Sequence, residues 1–80
     1  MGRKEIFDKL NTIFRDVMDN DDIVLEEGSS AEDIEEWDSV AHVQLIEEIE
    51  AVLGVKFSAK EMMSWDDVGE FVDAIEEKLK

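Results

Sequence analysis

Apolar residues recur along this chain at helical spacings, interrupted by two polar stretches. Ile6, Leu10, Ile13, Phe14 and Val17 lie three or four positions apart, so they share one face of a helix predicted over residues 3–18. Phe7 and Met18 widen that stripe. Asp19-Asn20-Asp21-Asp22 ends it, because short polar side chains bond to nearby backbone and favour turns over helix interiors. Residues 19–38 then read as a long loop. Ile23, Val24 and Leu25 form a short apolar anchor within it, residues 29–34 fit one capped helical turn, and Ile34 and Trp37 are positioned to hold the loop on the body. Loops of this length are usually functional or disordered. With Ile23, Leu25, Ile34 and Trp37 as anchors, an ordered, functional loop is predicted.

A second helix is predicted over residues 39–53, ending at Gly54, a residue suited to the left-handed position after a helix. Val40, Val43, Ile46, Ile49, Val52 and Leu53 are expected to point inward, with Leu45 at the edge of the stripe and Gln44, Glu47, Glu48 and Ala51 outward. Val55-Lys56-Phe57 leads to Ser58-Ala59-Lys60-Glu61, whose spacing is that of a capping box. It predicts a short third helix over residues 59–63. Ser64-Trp65-Asp66-Asp67 is expected to open a last helix over residues 65–79, with Val68, Phe71, Val72, Ile75 and Leu79 inward and Lys78 and Lys80 at its end. Met62, Met63 and Trp65 either fill the core or line an adaptable pocket, a role thioethers suit. The expected architecture is a single all-α domain over residues 1–80. It is a bundle of three longer helices and one short third helix with a long first loop.

Composition narrows what such a bundle does. At 80 residues the core is small. An apolar share of 44% argues against disorder despite the charge. The chain has no cysteine, hence no disulfide, thiolate metal site or thiol nucleophile of its own. No apolar run approaches the roughly 18–20 residues of a membrane span. Glu5, Asp8 and Lys9 interrupt any signal-peptide core, so a cytoplasmic location without membrane insertion is expected.

The net charge is −15, from 23 acidic and 8 basic residues, and it is segregated: no Lys or Arg lies between Asp19 and Gly54. A nucleic-acid partner is excluded on this ground, since phosphate neutralisation needs a basic face. Basic protein partners are favoured through electrostatic steering. The acidic spacing from Asp19 does not make an EF-hand, because Val24 stands at the glycine position and Ser30 at the bidentate glutamate position. No other metal spacing, phosphate loop or dinucleotide fingerprint is present. His42 lies three residues after Ser39, but a Ser-His hydrolase would also need a cleft and an oxyanion hole that nothing in the sequence predicts.

Asp38-Ser39 stands at the start of the second helix. Asp38 suits the N-cap, where its carboxylate accepts a first-turn N–H. Ser39 then occupies the first helical position with its hydroxyl in solvent. Free N–H groups and the macrodipole favour an anion such as a phosphate there. Read from these residues alone, Ser39 is either part of an ordinary helix start or a modification site.

Trp37-Asp38-Ser39-Val40, followed by His42-Val43 and Leu45-Ile46-Glu47-Glu48-Ile49-Glu50, resembles the acyl carrier proteins and related phosphopantetheine carriers. The likeness spans nearly the whole chain. It implies that Ser39 is esterified with 4′-phosphopantetheine from coenzyme A by a phosphopantetheinyl transferase using Mg²⁺, with Asp38 as cap and motif residue. The protein would then be a substrate of enzymes rather than an enzyme, carrying acyl groups as thioesters on a flexible arm. The resemblance also implies acyl-loading and acyl-transfer partners with basic docking surfaces, contacted through Val40, Glu47, Glu48 and Glu50. It implies an acyl pocket drawn from Ile46, Ile49, Val55, Phe57, Met62 and Met63. The body is expected to be monomeric.

Five positions depart from the fatty-acid-synthesis members. Val40 replaces the usual leucine, Glu36-Trp37 stands where they often have Gly-Ala, and Ala41 and Gln44 stand where they tend to be acidic. A dedicated polyketide-like, lipid-modifying or other pathway is therefore expected, with an aminoacyl, D-alanyl or peptidyl carrier as the close variant. An unmodified acidic interaction module is the alternative of a different class.

Overall fold

The computed structural model describes residues 2–79, in which there are four helices and no strand: α1 Arg3–Met18, α2 Ser39–Leu53, α3 Ala59–Met62 and α4 Val68–Lys78. Lys80, expected at the end of the last helix, lies outside the described residues. α1 turns its predicted stripe inward, with Ile6, Leu10 and Phe14 fully buried. It ends at Asp19, which takes the left-handed conformation at φ 52°. Aspartate tolerates that conformation better than most residues. α4 supplies Val68, Phe71, Val72 and Ile75 to the same core. Both helices carry a narrow apolar stripe with charge on the opposite side, which is why sequence periodicity locates their inner faces.

α2 has the predicted extent and a different rotation. Ala41, Leu45, Ile46 and Ile49 are buried, whereas Val40, Val43 and Val52 are exposed at 66%, 48% and 53%. The expected inward face of Val40, Val43 and Val52 is therefore corrected, and Leu45, expected at the edge, is in the centre. Apolar residues cover most of the circumference of α2, so a 3.6-residue period fits more than one face. Packing against α1 selects the face carrying Ala41, Leu45 and Ile49, each four residues from the next.

α4 begins at Val68, three residues later than expected, and α3 ends at Met62 rather than Met63. Residues 64–67 offer three cap candidates, Ser64, Asp66 and Asp67, and tertiary bonding chooses among them. Asp67 caps the Glu70 N–H at 2.9 Å. The Val68 and Gly69 N–H groups donate to the Ser29 and Glu27 carbonyls of the long loop, both at 2.8 Å. These are first-turn donors that a helix cannot satisfy internally. Gly69 permits the approach: a Cβ there would lie 2.8 Å from the Glu27 carbonyl oxygen.

The loop over residues 19–38 is strapped along its length. Asn11 Oδ1 accepts the Leu25 N–H, and Arg15 Nε donates to the Ile23 carbonyl, both at 2.7 Å. Ile23 and Leu25 are buried between those bonds. One turn forms at Ser30, whose carbonyl accepts the Asp33 and Ile34 N–H groups. Arg3 clamps the loop to α4, pairing with Glu27, Asp73 and Glu76. The Arg3 bonds, the Glu27 contact foremost, keep that guanidinium charged, and the same contact holds the Glu27 carboxyl below the usual carboxylate range.

Candidate functional site

The straps on the loop deliver Trp37 and Asp38 to the start of α2. Trp37 N–H bonds the Ile34 carbonyl, and the indole packs edge-on against Phe14 of α1 with ring centroids 5.0 Å apart. Asp38 is in extended backbone, and its Oδ1 accepts the Ala41 N–H at 2.8 Å. Its carbonyl accepts the His42 N–H at 2.9 Å, the first helical bond of α2. Ser39 is thereby fixed as the first helical residue and is exposed. The Ser39 and Val40 N–H groups have no carbonyl behind them and face the helix end, where an anion is favoured.

Ser39 opens onto a groove of about 560 Å³. Loop and α2 provide one side, with Trp37, Asp38, His42 and Val43. Met62, Met63, Trp65 and Asp66, from α3 and the turn after it, provide the other, and Ala31 touches the rim. The lining is mostly apolar and includes no lysine or arginine. Trp65 stacks on Phe71 at 4.4 Å with a 10° interplanar angle and meets Phe57 edge-on at 5.1 Å, so its indole is fixed from behind. These offset and edge-on arrangements are the ones the ring quadrupoles favour.

His42 crosses the groove's floor. Its Nδ1 accepts the Trp37 indole N–H at 3.1 Å, and its Nε2 lies 2.8 Å from the Met62 carbonyl. Both ring nitrogens are engaged away from Ser39, so the imidazole does not serve as a base toward the Ser39 hydroxyl. α3 is further held by the Glu61–Lys78 ion pair at 3.1 Å and by Glu50 Oε2, which accepts the Phe57 N–H at 2.9 Å. The Ser58 N–H in the capping box, then Lys78, hold the Glu61 carboxyl below its ordinary value.

Of the residues singled out in the sequence, Asp38, Ser39, Met62 and Met63 meet at this groove. Val40, Glu47 and Glu48 lie on the exposed side of α2, while Glu50 is committed to the Phe57 N–H. Ile46, Ile49 and Val55 are core residues and do not line the groove, and Phe57 lies behind Trp65. Met62, Met63 and Trp65 all line the groove; Met62 and Trp65 also pack against the core, whereas Met63 is 83% exposed. Sequence reasoning missed Val43 and Asp66 as wall residues. Trp37 was legible as a loop anchor and as a departure from the family pattern but not as a groove wall, and the spacing of His42 from Ser39 suggested proximity but not its two bonds.

A family model described as the phosphopantetheine attachment site matches residues 8–75. No curated protein matches the chain. Among solved structures, the chain is similar to a holo acyl carrier protein from Geobacter metallireducens, with 41% identity and a TM-score of 0.85 over 91% of this chain and 84% of that one.

Proposed function

We propose, from the premise that this chain belongs to the phosphopantetheine attachment site family, that Ser39 is the residue through which it holds 4′-phosphopantetheine and acts as an acyl carrier. The observation behind this assignment is the placement of Ser39: exposed, first in α2, and at the mouth of an apolar groove. The residues present fit the group. The Ser39 and Val40 N–H groups and the positive end of a helix of 15 residues would hold a phosphate on Oγ. The group supplies a terminal thiol, which this cysteine-free chain lacks. Asp38 holds the serine at the helix start by capping Ala41.

The partners in this reading are a phosphopantetheinyl transferase and acyl-loading and acyl-transfer enzymes with basic docking surfaces. Glu47 and Glu48 steer them to α2, and the exposed Val40 adds an apolar contact beside the serine. No described helix is long and apolar enough to cross a membrane. We assign the carrier to a dedicated acyl pathway, because Trp37, a departure from the fatty-acid-synthesis members, is built into the groove wall.

Incubation with coenzyme A, Mg²⁺ and a broad-specificity transferase tests the assignment. The intact mass rises by one phosphopantetheine in the wild type and is unchanged in Ser39→Ala. No gain with several transferases overturns it in favour of an unmodified acidic interaction module.

A further inference from the structure

α3 forms one wall of the groove at Ser39, yet none of its four residues is buried. Its capping box is internal to the helix, and Glu61–Lys78 and Glu50–Phe57 attach its outer edge and its approach. On the groove side Met62 packs partly against the core, and the hydrogen-bonded attachment is made by His42. The Met62 carbonyl is one of the terminal acceptors that a short helix leaves unsatisfied. An indole N–H only donates and a carbonyl only accepts, so the two partners of His42 fix its state. Nδ1 carries the lone pair toward Trp37, and Nε2 carries the proton toward Met62. The ring also packs against Trp65 and Phe71, with centroids 6.2 and 6.4 Å away.

We propose that His42 is a positioning residue that locks α3 to the loop and α2, setting the width of the groove beside the serine. It rests on the carrier reading for its functional meaning, since the groove borders the attachment point. One imidazole bridges the two walls, and losing it lets the single turn of α3 open more often while the core beneath stays packed. A leucine at 42 keeps an apolar side chain and removes both hydrogen bonds. A glutamine retains one acceptor and one donor at similar spacing.

The test is residue-resolved amide hydrogen exchange on the holo-protein, with wild type, His42→Leu and His42→Gln compared. The Met62, Met63 and Ser64 amides bond within α3 and its end, so they report on this wall. In H42L their exchange is expected to be about fivefold faster, the effect of losing a hydrogen bond on a local opening. Exchange at Leu10 and Val72 stays as in the wild type, and H42Q restores the slow exchange. Unchanged exchange at Met62–Ser64 overturns the proposal, and so does equal acceleration throughout the chain, which a merely structural residue would give. Nitrogen-15 spectra of the imidazole add a second readout: a proton on Nδ1 rather than Nε2 also overturns it. The mass gain on Ser39 is scored separately. A chain that is never modified defeats the carrier reading, while a modified chain with unaltered exchange in H42L defeats only the role of His42.

Discussion

Two irregular stretches flank α2, and they are held in opposite ways. Residues 19–38 contain no helix, yet Ile23 and Leu25 are buried, and backbone groups at Ile23, Leu25, Glu27 and Ser29 are bonded to α1 or α4. Residues 54–67 contain α3, yet among those described only the Val55 side chain is buried, with Phe57, Met62 and Trp65 partly so, and the hydrogen bonds of α3 are mostly its own. Regular secondary structure is therefore no measure of rigidity here. A loop whose peptide groups are satisfied by neighbouring helices moves only when those bonds break. A single helical turn has few bonds of its own and opens readily once its outside contacts are lost. The stiff stretch delivers Asp38 and Ser39; the looser one forms the opposite wall of the groove.

Truncation separates the two most sharply. Leu25→Ala is expected to lower unfolding free energy by about 2–4 kcal/mol in urea titrations, whereas Met63→Ala stays within about 0.5 kcal/mol. Equal losses would erase the distinction. Gly69→Ala comes next, at about 1–3 kcal/mol, because its Cβ must displace the Glu27 carbonyl and break the Gly69 N–H bond to it. A neutral effect in thermal melts would mean that the strap onto α4 yields freely.

Acid tests both attachments at once, with the smallest effect. Glu27 and Glu61 each have a folded-state pKa below the ordinary value of 4.5. Their contributions are thus complete above that value and are lost as pH falls through the folded pKa. Urea midpoints are expected to decline below about pH 4.5, and less steeply in Glu27→Gln, which has already lost its charged contact with Arg3. An unchanged slope in that variant would remove the Arg3 clamp from the account of the loop.

The features legible in the sequence are those set by local chemistry. The ends of α1 follow from its stripe and the Asp-rich stop, and the start of α2 follows from Asp38 as cap. The capping box at Ser58 locates α3. Ser39 stood out because it sits at that helix start within a stretch, Asp19 to Gly54, that has no Lys or Arg. What was hidden depends on neighbours distant in sequence. The rotation of α2 was ambiguous because valines lie on its outer face too. The start of α4 depends on carbonyls at Glu27 and Ser29, forty residues earlier. The strapping by Asn11 and Arg15 leaves no periodic signal. The groove needed Trp37 and Met62 brought to the same imidazole, which neither spacing nor propensity encodes.

Both tryptophans of the chain, Trp37 and Trp65, line the groove, and there is no tyrosine. The near-ultraviolet emission of this protein consequently originates at one place. Anything that enters the groove, leaves it, or shifts one wall against the other changes the surroundings of both fluorophores, and no third one dilutes the signal. Occupation of the groove, or movement of one wall against the other, is thereby expected to show in the emission of the unlabelled protein.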